Sequence, residues 1–479
     1  MNADRIRVIG LISGPILFIL TFVLPAPSGL SGAAWHVAGV GLFMSVWWMT
    51  EAIPIAATSL LPLVLFPILE ISDIRATAAP YAHPLIYLFL GGFLIAEAVQ
   101  HSGLHKRLAL LILRRAGDSP GRIVAGFMIA TAFLSMWVSN TATALMMLPI
   151  GVSVVYLASS VLDIEKSSIQ RFGTLLMLSI AYSASVGGVG TLIGTPPNAL
   201  MAGFLEDSYG IVIGFSEWML IGIPLVIVGL PTIYVVLTRW VYRLSFDSIP
   251  GGRRMFQERY LELGALSTQE RRVSYVFIGV ATLWIVRPLL DDVVPGMSDA
   301  GIAIGGAILM FIIPANTLRG DRLIAWSHAS KLPWGVLILF GGGLSLAASI
   351  DDSGLASWIG MSLSSLSGLP MPVMILLFSG VVIFLTELTS NTATAAAFLP
   401  VVGSVAVALT GEPLVLVIPA TIAASCAFML PIATPPNAVV YGSGYVTIPQ
   451  MARAGIYLNL IFLGIITLLS LILPSIGAA

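Results

Sequence analysis

Ser139-Asn140-Thr141-Ala142-Thr143 sits inside an apolar run that begins near Ile123 and ends near Leu157, and the same five letters return at Ser390-Asn391-Thr392-Ala393-Thr394. The step from Ser139 to Ser390, 251 positions, is shared by the surroundings. Phe89, Gly91-Gly92, Ser102-Gly103-Leu104, Phe133-Leu134 and Pro149 recur at Phe340, Gly342-Gly343, Ser353-Gly354-Leu355, Phe384-Leu385 and Pro400. A second pair, Thr195-Pro196-Pro197-Asn198-Ala199 and Thr434-Pro435-Pro436-Asn437-Ala438, stands 239 positions apart because the polar insert Asp163 to Arg171 lengthens the first copy. The chain is an internal duplication. Apolar segments interrupted at matching places are the sequence pointer to a transporter's binding site.

With 57% hydrophobic and 9% charged residues in 479, the chain has too little polar surface to cover a water-soluble globule and reads as an all-α polytopic membrane protein. The lipid bilayer is its first partner, and a formal net charge of −1 gives no reason to expect nucleic acid. One cysteine, Cys426, excludes an intrachain disulfide and a thiolate metal cluster, and reads as a small apolar filler. Arg5 and Arg7 before the apolar run Val8 to Leu24 imitate a secretory signal, but a signal's apolar region is about 7–15 residues. This longer run leads directly into another apolar segment, so it is expected to be a retained first span.

Roughly 20 apolar residues suffice for one helical crossing. Candidate crossings run over 6–24, 33–50, 53–70, 84–113, 173–205, 213–240, 271–290, 298–315, 333–361, 414–444 and 453–476, eleven in all. Two apolar segments are left over, 121–159 and 371–408, and they carry the Ser-Asn-Thr motifs. Basic residues set the orientation. With the N-terminus cytoplasmic, inner loops collect Lys106, Arg107, Arg114, Arg115, Arg122, Lys166, Arg171, Arg243, Arg253, Arg254, Arg259, Arg271, Arg272, Arg319, Arg322, Lys331 and Arg453. Outer segments hold mainly Arg75 and Arg287, with acids such as Glu206, Asp207, Asp291 and Asp292.

Each leftover segment must return to the side it came from, either as two crossings joined by a polar turn or as a hairpin dipping halfway with Ser-Asn-Thr at its tip. The span at 333 is the fifth crossing after the one at 84, an odd step, so the halves are expected to form an inverted repeat. The loop Ser245 to Gln269, with Pro250-Gly251-Gly252 and many charges, separates them as a linker. Gly301, Gly305 and Gly306 suit either close helix packing, a dimer face included, or simple contact with lipid.

Backbone that leaves the helix inside a membrane exposes N–H and C=O groups, a cost borne only where they line a cavity or bind something. Ser, Asn and Thr compete for backbone hydrogen bonds and favour helix caps. A helix starting just after Asn140 would aim free N–H groups at the break, while the preceding helix ends there with free carbonyls. The first end suits an anion and the second a small cation. The Thr-Pro-Pro-Asn copies read the same way: Pro196 and Pro197 forbid continuation of one helix and fit the first turn of the next. The crossings 173–205 and 414–444 are thus two broken helices.

Neither leftover segment has an Arg, Lys or His between 123 and 157 or between 373 and 408, and none stands beside either Thr-Pro-Pro-Asn. An anion bound there is neutralised by helix N-termini, hydroxyl and amide donors, and co-bound cations. Ser135, Ser139, Asn140, Thr386, Thr389 and Asn391 offer oxygen ligands of the kind hard alkali cations take. A dianion alone in such a half-buried site is prohibitively costly, and one accompanied by cations is not. Glu387 lies four residues before Asn391 where the first copy has Met136, so it stands outside the repeated site as a structural hydrogen-bonding group or a proton relay. Enzyme readings fail for want of metal-ligand spacing, a nucleophile elbow or a phosphate loop, and Gly341-Gly342-Gly343 reads as packing.

The paired Ser-Asn-Thr tips, the paired Thr-Pro-Pro-Asn breaks and the stretch Ser425-Cys426-Ala427-Phe428-Met429-Leu430-Pro431-Ile432-Ala433-Thr434-Pro435-Pro436-Asn437 closely resemble the divalent anion:sodium symporter family over nearly the whole chain. The resemblance implies a homodimer in the cell (inner or plasma) membrane, with about eleven transmembrane helices and two re-entrant hairpins per protomer and an elevator movement. Its parts would be scaffold helices at 1–83, a first inverted repeat at 84–244, a linker at 245–270, connecting scaffold helices at 271–332 and a second repeat at 333–479.

It further implies one sodium ion at Ser135, Ser139, Asn140 and the backbone of Gly194, and another at Thr386, Thr389, Asn391 and the backbone of Ala433. Substrate carboxylates would meet Ser139, Asn140, Thr141, Ser390, Asn391 and Thr392, with Thr195, Pro196, Thr434 and Pro435 nearby. Members carry C4-dicarboxylates, citrate or sulfate, and some are sodium-independent exchangers that place a basic side chain among the sodium ligands. No such replacement occurs here, which favours sodium-coupled symport of succinate, malate or fumarate over exchange, with citrate and sulfate as further alternatives.

Overall fold

A computed structural model describes residues 3–290, 292–315, 320–363, 366 and 368–472. Asp291, Arg319 and the part of the last span beyond residue 472 lie outside these. Among the described residues the protein is helical, with a lone bridge between Pro314 and Arg322.

The first half holds α1 (Ala3–Val23), α2 (Gly32–Thr50), α3 (Ile55–Thr58), α4 (Leu61–Ile68), α5 (Ile74–Ala78), α6 (Pro84–His101), α7 (Leu104–Leu113), α8 (Pro120–Ser135), α9 (Asn140–Val161), α10 (Lys166–Val189), α11 (Pro196–Tyr209) and α12 (Phe215–Val235). After α13 (Gly252–Glu262) and α14 (Thr268–Leu290) come α15 (Asp299–Ile312), α16 (Trp326–Ala329), α17 (Trp334–Asp352) and α18 (Leu355–Ser362). The chain ends with α19 (Met371–Leu385), α20 (Asn391–Thr410), α21 (Leu414–Ala424), α22 (Pro435–Tyr441) and α23 (Ile448–Ile472).

Nine helical stretches among the described residues are long and apolar enough to cross a membrane. Several expected crossings are interrupted, each for a visible reason. The 53–70 segment forms α3 and α4, divided at Ser59-Leu60 next to Pro62. The Ser59 carbonyl freed by that division accepts from the Tyr81 hydroxyl. The 298–315 segment gives the 14-residue α15, bounded by the Ser298 cap and by Pro314, which disfavours helical backbone at Ile313. The 84–113 and 333–361 segments each divide at a glycine, Gly103 with φ +80° and Gly354 with φ +79°, so the duplication reaches the backbone itself. At this left-handed φ a side chain would be strained.

α10 lies at the centre, its whole apolar window buried, whereas the windows of α1 and α14 are only 17% buried and turn Val8, Ile12, Ile16, Ile19, Ile278 and Ile285 outward, as a lipid-facing helix requires. α8 and α9 pack on α10, and α19 and α20 on α21. The halves also interlock, with α9 against α22 and α20 against α11. Gly306 packs inward, since a Cβ there would strike the Val280 side chain, while Gly305 faces open space.

The linker carries α13 and is bound firmly at both ends. At the start, Asp118 accepts from the Arg253 amide at 2.7 Å and its carbonyl from the Ile249 amide at 2.8 Å. At the far end, Arg107 of α7 donates to the carbonyls of Leu263, Gly264 and Ala265 at 3.0–3.3 Å, capping α13, and forms a two-pronged pair with Glu270 of α14 at 2.7 and 3.1 Å. The side chains of Arg107 and Glu270 are 9% and 8% exposed. Removing one member of such a pair strands the other charge, at about 3–5 kcal/mol. Arg107→Met therefore lowers the thermal unfolding midpoint of the detergent-solubilised protein by several degrees, and adding Glu270→Gln recovers part of the loss. An unchanged midpoint in Arg107→Met contradicts the clamp.

Candidate functional site

Each hairpin tip is a helix end followed by a helix start. α8 ends at Ser135 and α9 begins at Asn140, with Ser139 at the cap, its hydroxyl accepting from the Ala142 amide at 3.2 Å. α19 ends at Leu385 and α20 begins at Asn391, with Ser390 at the cap. The first arms, 16 and 15 residues, reach roughly 24 Å at about 1.5 Å per residue, short of a hydrocarbon layer of about 30 Å.

The first tip meets the break that follows α10. One terminal atom of the Asn140 amide lies 2.5 Å from Ser135 Oγ, 3.2 Å from the Ala184 carbonyl oxygen and 3.3 Å from that of Gly194. Ser135 Oγ itself donates to the Ala184 carbonyl at 2.7 Å. As nitrogen, the amide atom donates to this group of oxygens. As oxygen, it stands with Ser135 Oγ and the Ala184 and Gly194 carbonyls as one of four clustered oxygens, a donor set of the kind a hard monovalent ion takes. The second tip repeats the arrangement: Thr386 Oγ1 donates to Asn391 Oδ1 at 2.7 Å and to the Ala424 carbonyl at 2.9 Å.

Two glycines make the first cluster possible. A Cβ on Gly188 would stand 2.5 Å from Asn140 Oδ1, and one on Gly194 would collide with the Gly188 carbonyl. Thr195 (φ −142°, ψ 140°) and Thr434 (φ −140°, ψ 147°) hold extended backbone at the starts of α11 and α22. Pro196 and Pro435 follow as first helical residues, Pro196 half-buried and Pro435 exposed.

Of the expected residues, Ser135, Asn140 and Gly194 come together, as do Thr386 and Asn391. Ser139 and Ser390 serve as caps, and Thr141 and Thr392 lie half-buried on the first turns of α9 and α20. Thr389 is drawn to Thr394 at 2.5 Å, and the Ala433 amide donates to Leu430 at 3.3 Å.

Sequence reasoning passed over two kinds of residue. The Ala184 and Ala424 carbonyls join the clusters, and a backbone oxygen leaves no trace in the side-chain sequence. Asn198 and Asn437, fourth letters of the repeated motif, fasten the breaks. Asn198 Nδ2 reaches the Thr191 carbonyl at 2.8 Å and those of Gly188 and Val189 at 3.4 Å, and Asn437 Nδ2 reaches Leu430 at 3.0 Å and Ala427 at 3.1 Å. Their repetition was the available signal.

The description "sodium:sulfate symporter transmembrane region" matches residues 7–474. A protein of Staphylococcus saprophyticus named sodium-dependent dicarboxylate transporter SdcS is 44% identical over 468 residues, 96% of this chain and 90% of the relative. Its namesake in Staphylococcus aureus strain USA300 is 45% identical over 461 residues, 95% of this chain and 89% of the relative. Two solved structures share the fold. The YdaH transporter of Alcanivorax borkumensis has a TM-score of 0.57 at 15% identity, covering 90% of this chain and 98% of its own. MtrF of Neisseria gonorrhoeae has a TM-score of 0.61 at 13% identity, covering 99% and 95%.

The glycine geometry generates an asymmetric prediction. Gly188 and Ala427 both stand ten residues before the fastening asparagine of their break. Gly188→Ala pushes Asn140 away from Ser135 and the Ala184 and Gly194 carbonyls, so if this cluster takes an alkali cation, thermal stabilisation titrated in alkali chloride against choline chloride is weaker in the variant. Ala427→Gly leaves the titration unchanged. A Gly188→Ala titration identical to the unmodified protein contradicts the assignment.

Proposed function

The chain belongs to the sodium:sulfate symporter family, and on that premise we propose that it is a secondary transporter that carries a C4-dicarboxylate such as succinate, malate or fumarate together with sodium ions. The observation that carries this reading is the cluster of Asn140, Ser135 and the Ala184 and Gly194 carbonyls, with its counterpart at Thr386, Asn391 and Ala424. Sodium occupies these clusters. The names of the staphylococcal relatives support both the cation and the anion.

In this reading the dianion lies between the hairpin tips. Its carboxylates take the free N–H groups and hydroxyls at the starts of α9 and α20, Ser139-Asn140-Thr141 and Ser390-Asn391-Thr392, where the helix dipoles favour negative charge. Thr195, Pro196, Thr434 and Pro435 border the same space. Each asparagine serves cation and anion together: its side chain completes the cation cluster while its backbone opens the helix that faces the carboxylate. Loading one species thereby orders the tip for the other, a coupling that favours symport over exchange. The interlocked hairpins and broken helices move as one body past α6 and α17, as an elevator within a homodimer whose N-terminus is cytoplasmic.

In proteoliposomes, labelled succinate accumulates under an inward sodium gradient and not when choline replaces sodium. Asn140→Ala and Asn391→Ala each reduce uptake at least a hundredfold. Uptake that ignores sodium but requires internal dicarboxylate identifies an exchanger, and competition by citrate or sulfate stronger than by C4 acids reassigns the substrate.

A further inference from the structure

Away from both tips, positive charge gathers where the ends of α10, α12 and α23 meet. α10 begins at Lys166 and carries Arg171. α12 continues as a π-helical turn, Val236–Val241, which carries Arg239 and is followed by Arg243, and α23 carries Arg453 near its start. Direct contacts hold these ends side by side. The Tyr242 hydroxyl donates to the Gln450 carbonyl at 2.9 Å, Thr174 Oγ1 donates to the Tyr445 carbonyl at 2.7 Å, and Phe172 meets Phe246 edge to face with ring centroids 5.4 Å apart. The apolar stretch Phe215–Val241 ends here with Trp240 exposed, which sets this region at the level of the lipid headgroups. From Arg171 to the end of α10 at Val189 the helix runs roughly 27 Å at about 1.5 Å per residue, so the region is remote from the first tip.

These charges are unopposed. Arg107 pairs with Glu270 and Arg254 with Glu258, whereas among the described residues none of Lys166, Arg171, Arg239, Arg243 and Arg453 forms an ion pair. The acids nearest in the chain, Asp163, Glu165 and Asp247, are themselves exposed, and Glu165 accepts from the Ser167 hydroxyl at 2.9 Å. Arg171 donates through Nε to the Ser167 carbonyl at 3.4 Å and through Nη2 to Ser168 Oγ at 3.2 Å, and Arg243 donates through Nε to the Arg239 carbonyl at 3.2 Å. Among the described residues, Arg171 Nη1 and both terminal nitrogens of Arg243 meet no acceptor. The two arginines line one cleft walled by Phe172, Leu175, Tyr242 and Phe246, and it is too tight to enclose a ligand. Whatever the guanidinium groups bind lies across its mouth.

A bias of basic residues toward one membrane face places charge on this side. It does not require that charge to collect without acids around one cleft. We propose that the mouth of this cleft binds the headgroup of an anionic phospholipid. The phosphodiester oxygens accept from Arg171 and Arg243 in the forked geometry that guanidinium offers to phosphate. Trp240 lies in the interface beside them, and α12 turns Leu220, Ile227 and Val228 outward to the acyl chains. A zwitterionic headgroup brings its own cation, which these arginines repel, so the site selects net negative lipid. It does not depend on what the hairpin tips bind.

The test titrates purified protein in neutral detergent micelles with phosphatidylglycerol and follows the thermal unfolding midpoint. The midpoint rises saturably by several degrees, and phosphatidylcholine does not raise it. Arg171→Gln and Arg243→Gln, both at exposed positions, keep the lipid-free midpoint and each raise the half-saturating lipid content about fivefold, the share of one arginine at an anionic surface. Arg271→Gln removes the same charge from the start of α14, another span end, and leaves the titration unchanged. A midpoint that phosphatidylglycerol does not move, equal stabilisation by the two lipids, or an Arg271→Gln shift as large as those of the cleft variants overturns the site. Stabilisation by inorganic phosphate in phosphatidylcholine micelles, abolished by Arg243→Gln, identifies a free anion and overturns the lipid assignment.

Discussion

A carbonyl or amide released by a helix break inside hydrocarbon has no water to turn to, and an unmatched group there costs several kcal/mol. Every feature of the candidate site answers that constraint. Asn198 and Asn437 bind the carbonyls released where α10 and α21 end, Thr191 binds the Met136 carbonyl, and Glu387 binds the three amides of Phe428, Met429 and Leu430. The oxygens around Asn140 and Asn391, gathered by the Ser135 and Thr386 hydroxyls, and the helix starts of α9 and α20 are the material of the proposed site.

The absence of Arg, Lys and His between residues 123 and 157 and between 373 and 408 limits what that material could do in the proposed site. A fixed cation would bind a dianion unaided and hold it in either orientation of the carrier. With dipoles and hydroxyls alone, the proposed site would meet the anion's charge with ions that travel with it, which would make coupling a matter of electrostatics.

The tips were legible because cap chemistry is local. Ser139 and Ser390 stand at the caps and Asn140 and Asn391 open the helices, where the letters Ser-Asn-Thr place them. The breaks at Thr195 and Thr434 were legible for the same reason, since two prolines admit few backbone solutions. What escaped was less local. Gly103 and Gly354 sat in plain view within a repeated Ser-Gly-Leu, yet continuous hydrophobicity concealed that the backbone turns there. The linker's charges marked it as polar without revealing that Arg107, more than 150 positions away from Gly264 in the chain, would clamp it. The oxygens contributed by Ala184 and Ala424 depend on which carbonyl a packed neighbour reaches, which only the assembled fold decides.

The packing of α9 against α22 and of α20 against α11 supports each hairpin on the opposite half of the chain. The proposed site, with no basic side chain at either tip, would hold a dianion only in the company of cations. Equilibrium binding of succinate to the purified protein, measured without any gradient in sodium chloride and again in choline chloride, tests this most directly. The account predicts saturable binding in sodium and a Kd at least a hundredfold weaker in choline; equal affinity in the two salts would contradict it.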